Sequence, residues 1–124
     1  MKKQTAGREF LGDFAPKFAE LNDDVLFGEV WSREDQLDLK TRSIITVTAL
    51  MSKGILDESL RSHLINAKKN GVSKDELVEV ITHVAFYAGW PNAWAYSPCE
   101  IWWRSSSYLC GWKWLVSRRR ERCN

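Results

Sequence analysis

The chain has 124 residues, enough for one domain with one core, and its 44% apolar and 27% charged residues are ordinary for a globular protein. No run of about 18 apolar residues exists, so no transmembrane span is expected. Met1-Lys2-Lys3-Gln4-Thr5 is basic but no apolar region follows, so no secretory signal is read and a cytoplasmic location is the default expectation. Charge divides the chain. Residues 1–95 hold 12 Lys+Arg and 14 Asp+Glu, whereas residues 96–124 hold 6 and 2. That second stretch also carries all three cysteines (Cys99, Cys110 and Cys123) and four of the seven tryptophans. The expected organisation is a domain over 1–95 and an atypical basic tail over 96–124.

In chain order, Glu9 to Leu21 carries Phe10, Leu11, Phe14 and Phe18 at helical spacing, with Pro16 restarting the helix at its first turn. Ala19, Val25, Leu26, Val30 and Trp31 extend a helical pattern to the polar connection Ser32-Arg33-Glu34-Asp35-Gln36. Asp38 caps a helix to Lys53, with Gly54 as its stop. Ile44, Ile45, Val47, Ala49, Leu50 and Met51 cover most of its circumference, which predicts a central, buried helix. Asp57 caps the next helix, whose inner stripe is Leu60, Leu64 and Ala67 and whose end is Asn70-Gly71. Ser73-Lys74-Asp75-Glu76 is a capping box. It opens a helix with Leu77, Val80, Ile81, Val84, Ala85 and Ala88 on one stripe; Gly89 stops it and Pro91 opens another. No alternating strand or repeat appears in residues 1–95, so the expected class is all-α, a small helical bundle.

Chemistry-bearing residues are few. His63 lies between Leu60 and Ala67 and points near the inner face of its helix. His83 shares one side of its helix with Glu79 and Tyr87, beside the apolar stripe. For each histidine, a half-buried structural role competes with a functional one. Glu29 is an acid among apolar neighbours in Phe27-Gly28-Glu29-Val30-Trp31. Arg42 sits near a helix N-terminus, where the dipole disfavours a cation, so a compensating anion is expected: Glu29 or a substrate carboxylate. There is no Cys-x-x-Cys and no phosphate-binding glycine loop. The histidines are about twenty residues apart without zinc-site spacing, so no metal is expected.

Several stretches together resemble the carboxymuconolactone decarboxylase family over roughly residues 8–95. They are Leu39-Lys40-Thr41-Arg42-Ser43-Ile44-Ile45-Thr46-Val47, the helix from Leu60 to Val72, the segment Glu76 to Pro91 and Phe27-Gly28-Glu29-Val30-Trp31. The resemblance implies an all-helical fold of the alkylhydroperoxidase D-like type, assembled as a homo-oligomer, trimer or hexamer. It implies cofactor-independent loss of CO2 from 4-carboxymuconolactone or a related lactone acid, in aromatic-compound breakdown. It makes His63 or His83 the proton donor, with a pKa suited to neutral pH, and Glu29 an acid or a histidine-orienting group. Arg42 becomes the carboxylate anchor, with Tyr87 and Trp90 at the substrate.

Two other readings stand beside it. The wider superfamily includes peroxide-reducing members, which need a Cys-x-x-Cys thiolate that this sequence lacks. A non-catalytic helical oligomer or binding module is the third. Where the family has a last amphipathic helix, Tyr96-Ser97-Pro98-Cys99 breaks the pattern, and Arg118, Arg119, Arg120 and Arg122 follow. A basic aromatic extension, a divergent terminus and a frameshifted reading all fit. Codons for Ala95 through Trp102, read one nucleotide later, can spell Ile-Arg-Leu-Ala-Lys followed by Phe or Tyr. Neither nucleic acid nor a membrane is taken as a partner, because four clustered arginines and aromatics are weak evidence for either unless they share a face.

Overall fold

The computed structural model describes residues 3–96, and the expectations for residues 97–124 lie outside it. The described residues are helical, with no strand among them. Six α-helices follow in order: α1 (Ala6–Leu11), α2 (Pro16–Glu20), α3 (Leu39–Ser52), α4 (Glu58–Lys69), α5 (Lys74–Ala88) and α6 (Trp90–Trp94). A π-helix, Leu21–Val30, follows α2. The chain forms two compact units, Met1–Arg42 and Ser43–Asn124.

In the first unit, Pro16 restarts the helix as expected and stands in the first turn of α2. The helix before it begins at Ala6, three residues earlier than the spacing predicted. The expected apolar face is not a buried one. Phe10, Phe14 and Phe18 are 84%, 90% and 60% exposed. What seats α1 is polar. Thr5 offers α1 no side-chain cap. Instead the carboxylate of Asp23, from the π-helix, accepts from the Gly7 amide at 2.8 Å and the Arg8 amide at 3.0 Å. It thereby satisfies two of the donors that a helix start leaves open. A Cβ at Gly7 would stand 2.7 Å from Asp23 Oδ1 and 2.9 Å from the Ala19 carbonyl oxygen, so this approach admits only glycine. Burial pushes the Asp23 carboxyl up, but hydrogen bonds from Asn22 and from the Arg8 and Gly7 amides, with the charge of Arg8, bring it below its ordinary value. Arg8 completes the clamp with two bonds to Asp24, of 2.9 and 2.7 Å.

The helical pattern read over Val25 to Trp31 is present, but with π rather than α pitch. The Trp31 amide closes it on the Leu26 carbonyl, five residues back. Trp31 is buried and stacks on Phe27, ring centroids 5.8 Å apart. Ser32 ends the segment by donating its hydroxyl to the Gly28 and Glu29 carbonyls.

The second unit holds a core of Val47, Met51, Leu60, Leu64, Ala67, Val72, Leu77 and Tyr96. Its helix ends follow the local chemistry. Asp57 accepts from the Ser59 amide, and Ser73 and Glu76 form the reciprocal capping box. Gly54, Gly71 and Gly89 take φ of 71°, 94° and 102°, the left-handed region that stops a helix without a side-chain penalty. The stripe Leu60, Leu64 and Ala67 is buried as read. The central helix is not buried all round. Ser43, Val47 and Met51 form its inner stripe, whereas Ile45 is 53% exposed in the single chain. The buried Ser43 hydroxyl accepts from Asn70 Nδ2 at 2.9 Å, which ties α3 to the end of α4.

Candidate active site

Of the six residues singled out by sequence, Glu29 and Arg42 lie in the first unit, and His63, His83, Tyr87 and Trp90 in the second. Glu29 is exposed near the end of the π-helix. Arg42 stands on the first turn of α3, half-buried. Its partners include backbone carbonyls: Nε donates to Leu37 at 3.0 Å and Nη2 to Arg33 at 3.1 Å. The negative ends of these peptide dipoles meet the guanidinium and fix its plane.

His63 is half-buried on α4 with Nδ1 in the interior, as its spacing implied. Burial penalises the imidazolium and lowers the pKa from its ordinary value, opposite to what a standing proton donor at neutral pH would need. This has a consequence for stability. An unfolded histidine titrates near 6.5. With the native pKa below that, the unfolded chain binds more protons in the interval between the two values. Stability is therefore expected to fall as pH drops from about 7 through the native His63 pKa, and to stop falling on this account below it. Asp23, Asp24 and Asp38, whose pKa values are also lowered, act below the ordinary carboxylate range and so outside this interval. Urea midpoints measured from pH 7.5 to 5 should show the slope, and His63→Gln should flatten it. Equal slopes in both proteins would remove His63 as the cause.

The structure brings His83 and Tyr87 together. They face one another along α5 with ring centroids 5.1 Å apart and a tilt of 32°. Tyr87 is 83% exposed and His83 is exposed beside it. Next to this pair, Phe86 meets Trp90 edge-on, centroids 6.0 Å apart at 68°. Phe86 was missed in the sequence. Its one signal there is an aromatic four residues before Trp90, and the glycine between them argued against a helical pair.

An open cleft of about 310 Å³ lies in the first unit, lined by Lys3, Gln4, Asp23, Asp24, Phe27, Gly28 and Ser32. Four of these, Asp23, Asp24, Phe27 and Gly28, recur at intervals of four and five along the π-helix, so one face of that helix makes much of the wall, and Ser32 just beyond its end continues it. None of the six sequence-derived residues lines it, and both its acids are held by Arg8. Among the described residues no group of three or more His, Cys, Asp or Glu side chains could hold a metal ion. None of the described helices is long and apolar enough to cross a membrane.

Comparison with known proteins bears on this arrangement. A 4-carboxymuconolactone decarboxylase of Acinetobacter baylyi (strain ATCC 33305 / BD413 / ADP1) is 46% identical over 83 residues. That alignment takes in 67% of this chain and 60% of the relative, so the chain spans less than two thirds of that protein's length. No solved structure gives a significant match. The sequence model of the carboxymuconolactone decarboxylase family matches residues 16–98, a span that contains all six residues considered above. The chain belongs to the carboxymuconolactone decarboxylase family.

Proposed function

We propose that this protein is a carboxy-lyase that removes CO2 from 4-carboxymuconolactone or a related lactone acid, without a cofactor. The observation that carries the reading is the identity of 46% over 83 residues to a relative of that name. The breakdown of aromatic compounds in the cytoplasm is the setting this chemistry suits.

The reaction makes three physical demands. The anionic lactone must be held. The carbon–carbon bond to the carboxylate must break, leaving its electron pair in the ring as a dienolate. A proton must then reach the ring carbon. Arg42, oriented by two carbonyls, supplies positive charge for the carboxylate. Tyr87 and Trp90 offer flat apolar faces to an unsaturated ring and to the neutral CO2 that leaves it. His63 or His83 delivers the proton, and Glu29 orients a histidine or acts as the acid. For His63 the bound substrate has a part of its own. A carboxylate brought beside a half-buried imidazole favours the charged form and so loads the proton as the substrate arrives.

In this reading the single chain is a subunit of a trimer or hexamer. Exposed Phe10, Phe14 and Phe18 on one unit, and Trp94 on the other, supply apolar surface for it. Purified protein incubated with 4-carboxymuconolactone should release one CO2 per lactone consumed, with no added metal or coenzyme, and light scattering should give a mass of three or six chains. Absence of CO2 release at high protein concentration would refute the activity, and a monomeric mass would refute the assembly. The peroxide-reducing alternative is weaker, because the sequence has no cysteine before Cys99 and no Cys-x-x-Cys.

A further inference from the structure

We propose that Phe86 is a positioning residue for substrate recognition, acting through Trp90; this rests on the reading that Trp90 contacts the lactone. The two rings are not an ordinary pair on one helix. Helix α5 ends at Ala88, Gly89 turns the chain at φ 102°, and α6 starts at Trp90 with Pro91 in its first turn. The turn nonetheless brings the Trp90 indole edge-on to the Phe86 ring, centroids 6.0 Å apart at 68°, an arrangement that the aromatic quadrupoles favour.

Burial does not account for either side chain. Phe86 is 78% exposed and Trp90 is 59% exposed. An indole so open to solvent has several rotamers to choose from, and a ligand that stacks on one of them must first select it. Contact with Phe86 favours one rotamer in advance. The same end of α5 carries His83 against Tyr87, so both groups assigned to the substrate at Trp90 and His83 have an aromatic neighbour four residues away. Loss of Phe86 therefore weakens binding rather than the bond-breaking step, and KM moves while kcat stays.

A double-mutant cycle separates this role from the alternatives. Decarboxylation is measured against lactone concentration for wild type, Phe86→Ala, Trp90→Ala and the double variant, with Phe86→Tyr as the conservative change. Phe86→Ala should raise KM about two- to ten-fold with kcat unchanged, the size expected from loss of one aromatic pair. Phe86→Tyr should restore the wild-type KM. In the Trp90→Ala background, removing Phe86 should do nothing further. Because Phe86 is so exposed, its truncation leaves the core intact, and unchanged melting would verify that. An undiminished Phe86→Ala effect without Trp90, or no effect on KM with Trp90 present, would overturn the inference while leaving the decarboxylase reading in place. An inactive wild type would overturn both.

Discussion

Glutamine at the proton-donating histidine is expected to lower kcat about 10²- to 10⁴-fold, the usual worth of a positioned general acid. His63→Gln and His83→Gln test the two positions separately, and melting curves should remain close to wild type for the exposed His83. The pH profile distinguishes the two further. An acid works while protonated, so activity falls as pH rises through its pKa. If His63 donates, the limb of kcat/KM, which reports the free protein, lies below the ordinary histidine value because burial lowers it. The limb of kcat, which reports the complex, lies higher, since the substrate carboxylate favours the imidazolium. A separation of the two limbs that vanishes in His63→Gln would assign the proton to His63. Full turnover in both single variants would refute histidine catalysis.

The helix ends were legible because their chemistry is local. Asp57, the Ser73 and Glu76 pair, Pro16 and Pro91 each act within about one turn of themselves, and the structure places each where its type demands. The inner stripe of α4 followed from period alone. Features that depend on partners distant in sequence were not legible. Asp23 caps a helix that begins 17 residues before it, and nothing in the run Leu21-Asn22-Asp23-Asp24 points there. Arg42 finds peptide carbonyls, which every sequence contains and none advertises. The π pitch of Leu21–Val30 was not legible, because apolar residues four and five apart, as at Leu21, Val25, Leu26 and Val30, suit an ordinary helix as well. Exposure of Ile45 on a helix that is apolar nearly all round depends on how many neighbours α3 has in one chain, which periodicity does not state.

The candidate site divides in the same way. His83 and Tyr87 are four apart on one unbroken helix, so their pairing could be read directly. Phe86 and Trp90 are also four apart, but the intervening Gly89 takes a positive φ that removes the helical rule. His63 could be placed near the inner face, yet the direction of its pKa depends on how deeply the ring is buried, and spacing says nothing of depth.

Tyr96→Ala is expected to destabilise the protein by about 3–5 kcal/mol, a large share of a usual total of about 5–15 kcal/mol. Sequence composition set the change of character between Ala95 and Tyr96. The structure packs Tyr96 into the core of the second unit at 2% exposure, in one cluster with Val47, Met51, Leu60 and Leu64. Its hydroxyl donates to the Met51 carbonyl, near the end of α3. The ring and the hydroxyl contribute differently. The Met51 carbonyl also accepts from the Gly54 amide at 2.9 Å, so Tyr96→Phe leaves that oxygen with a partner. Removing the hydroxyl should therefore cost only about 1 kcal/mol, whereas removing the ring opens a cavity between α3 and α4 that the flanking side chains fill incompletely. Urea unfolding followed by far-ultraviolet circular dichroism should rank wild type above Tyr96→Phe and both well above Tyr96→Ala. Equal midpoints for wild type and Tyr96→Ala would show that the core closes without this residue. Equal losses in the two variants would transfer the stabilisation from the ring to the hydroxyl.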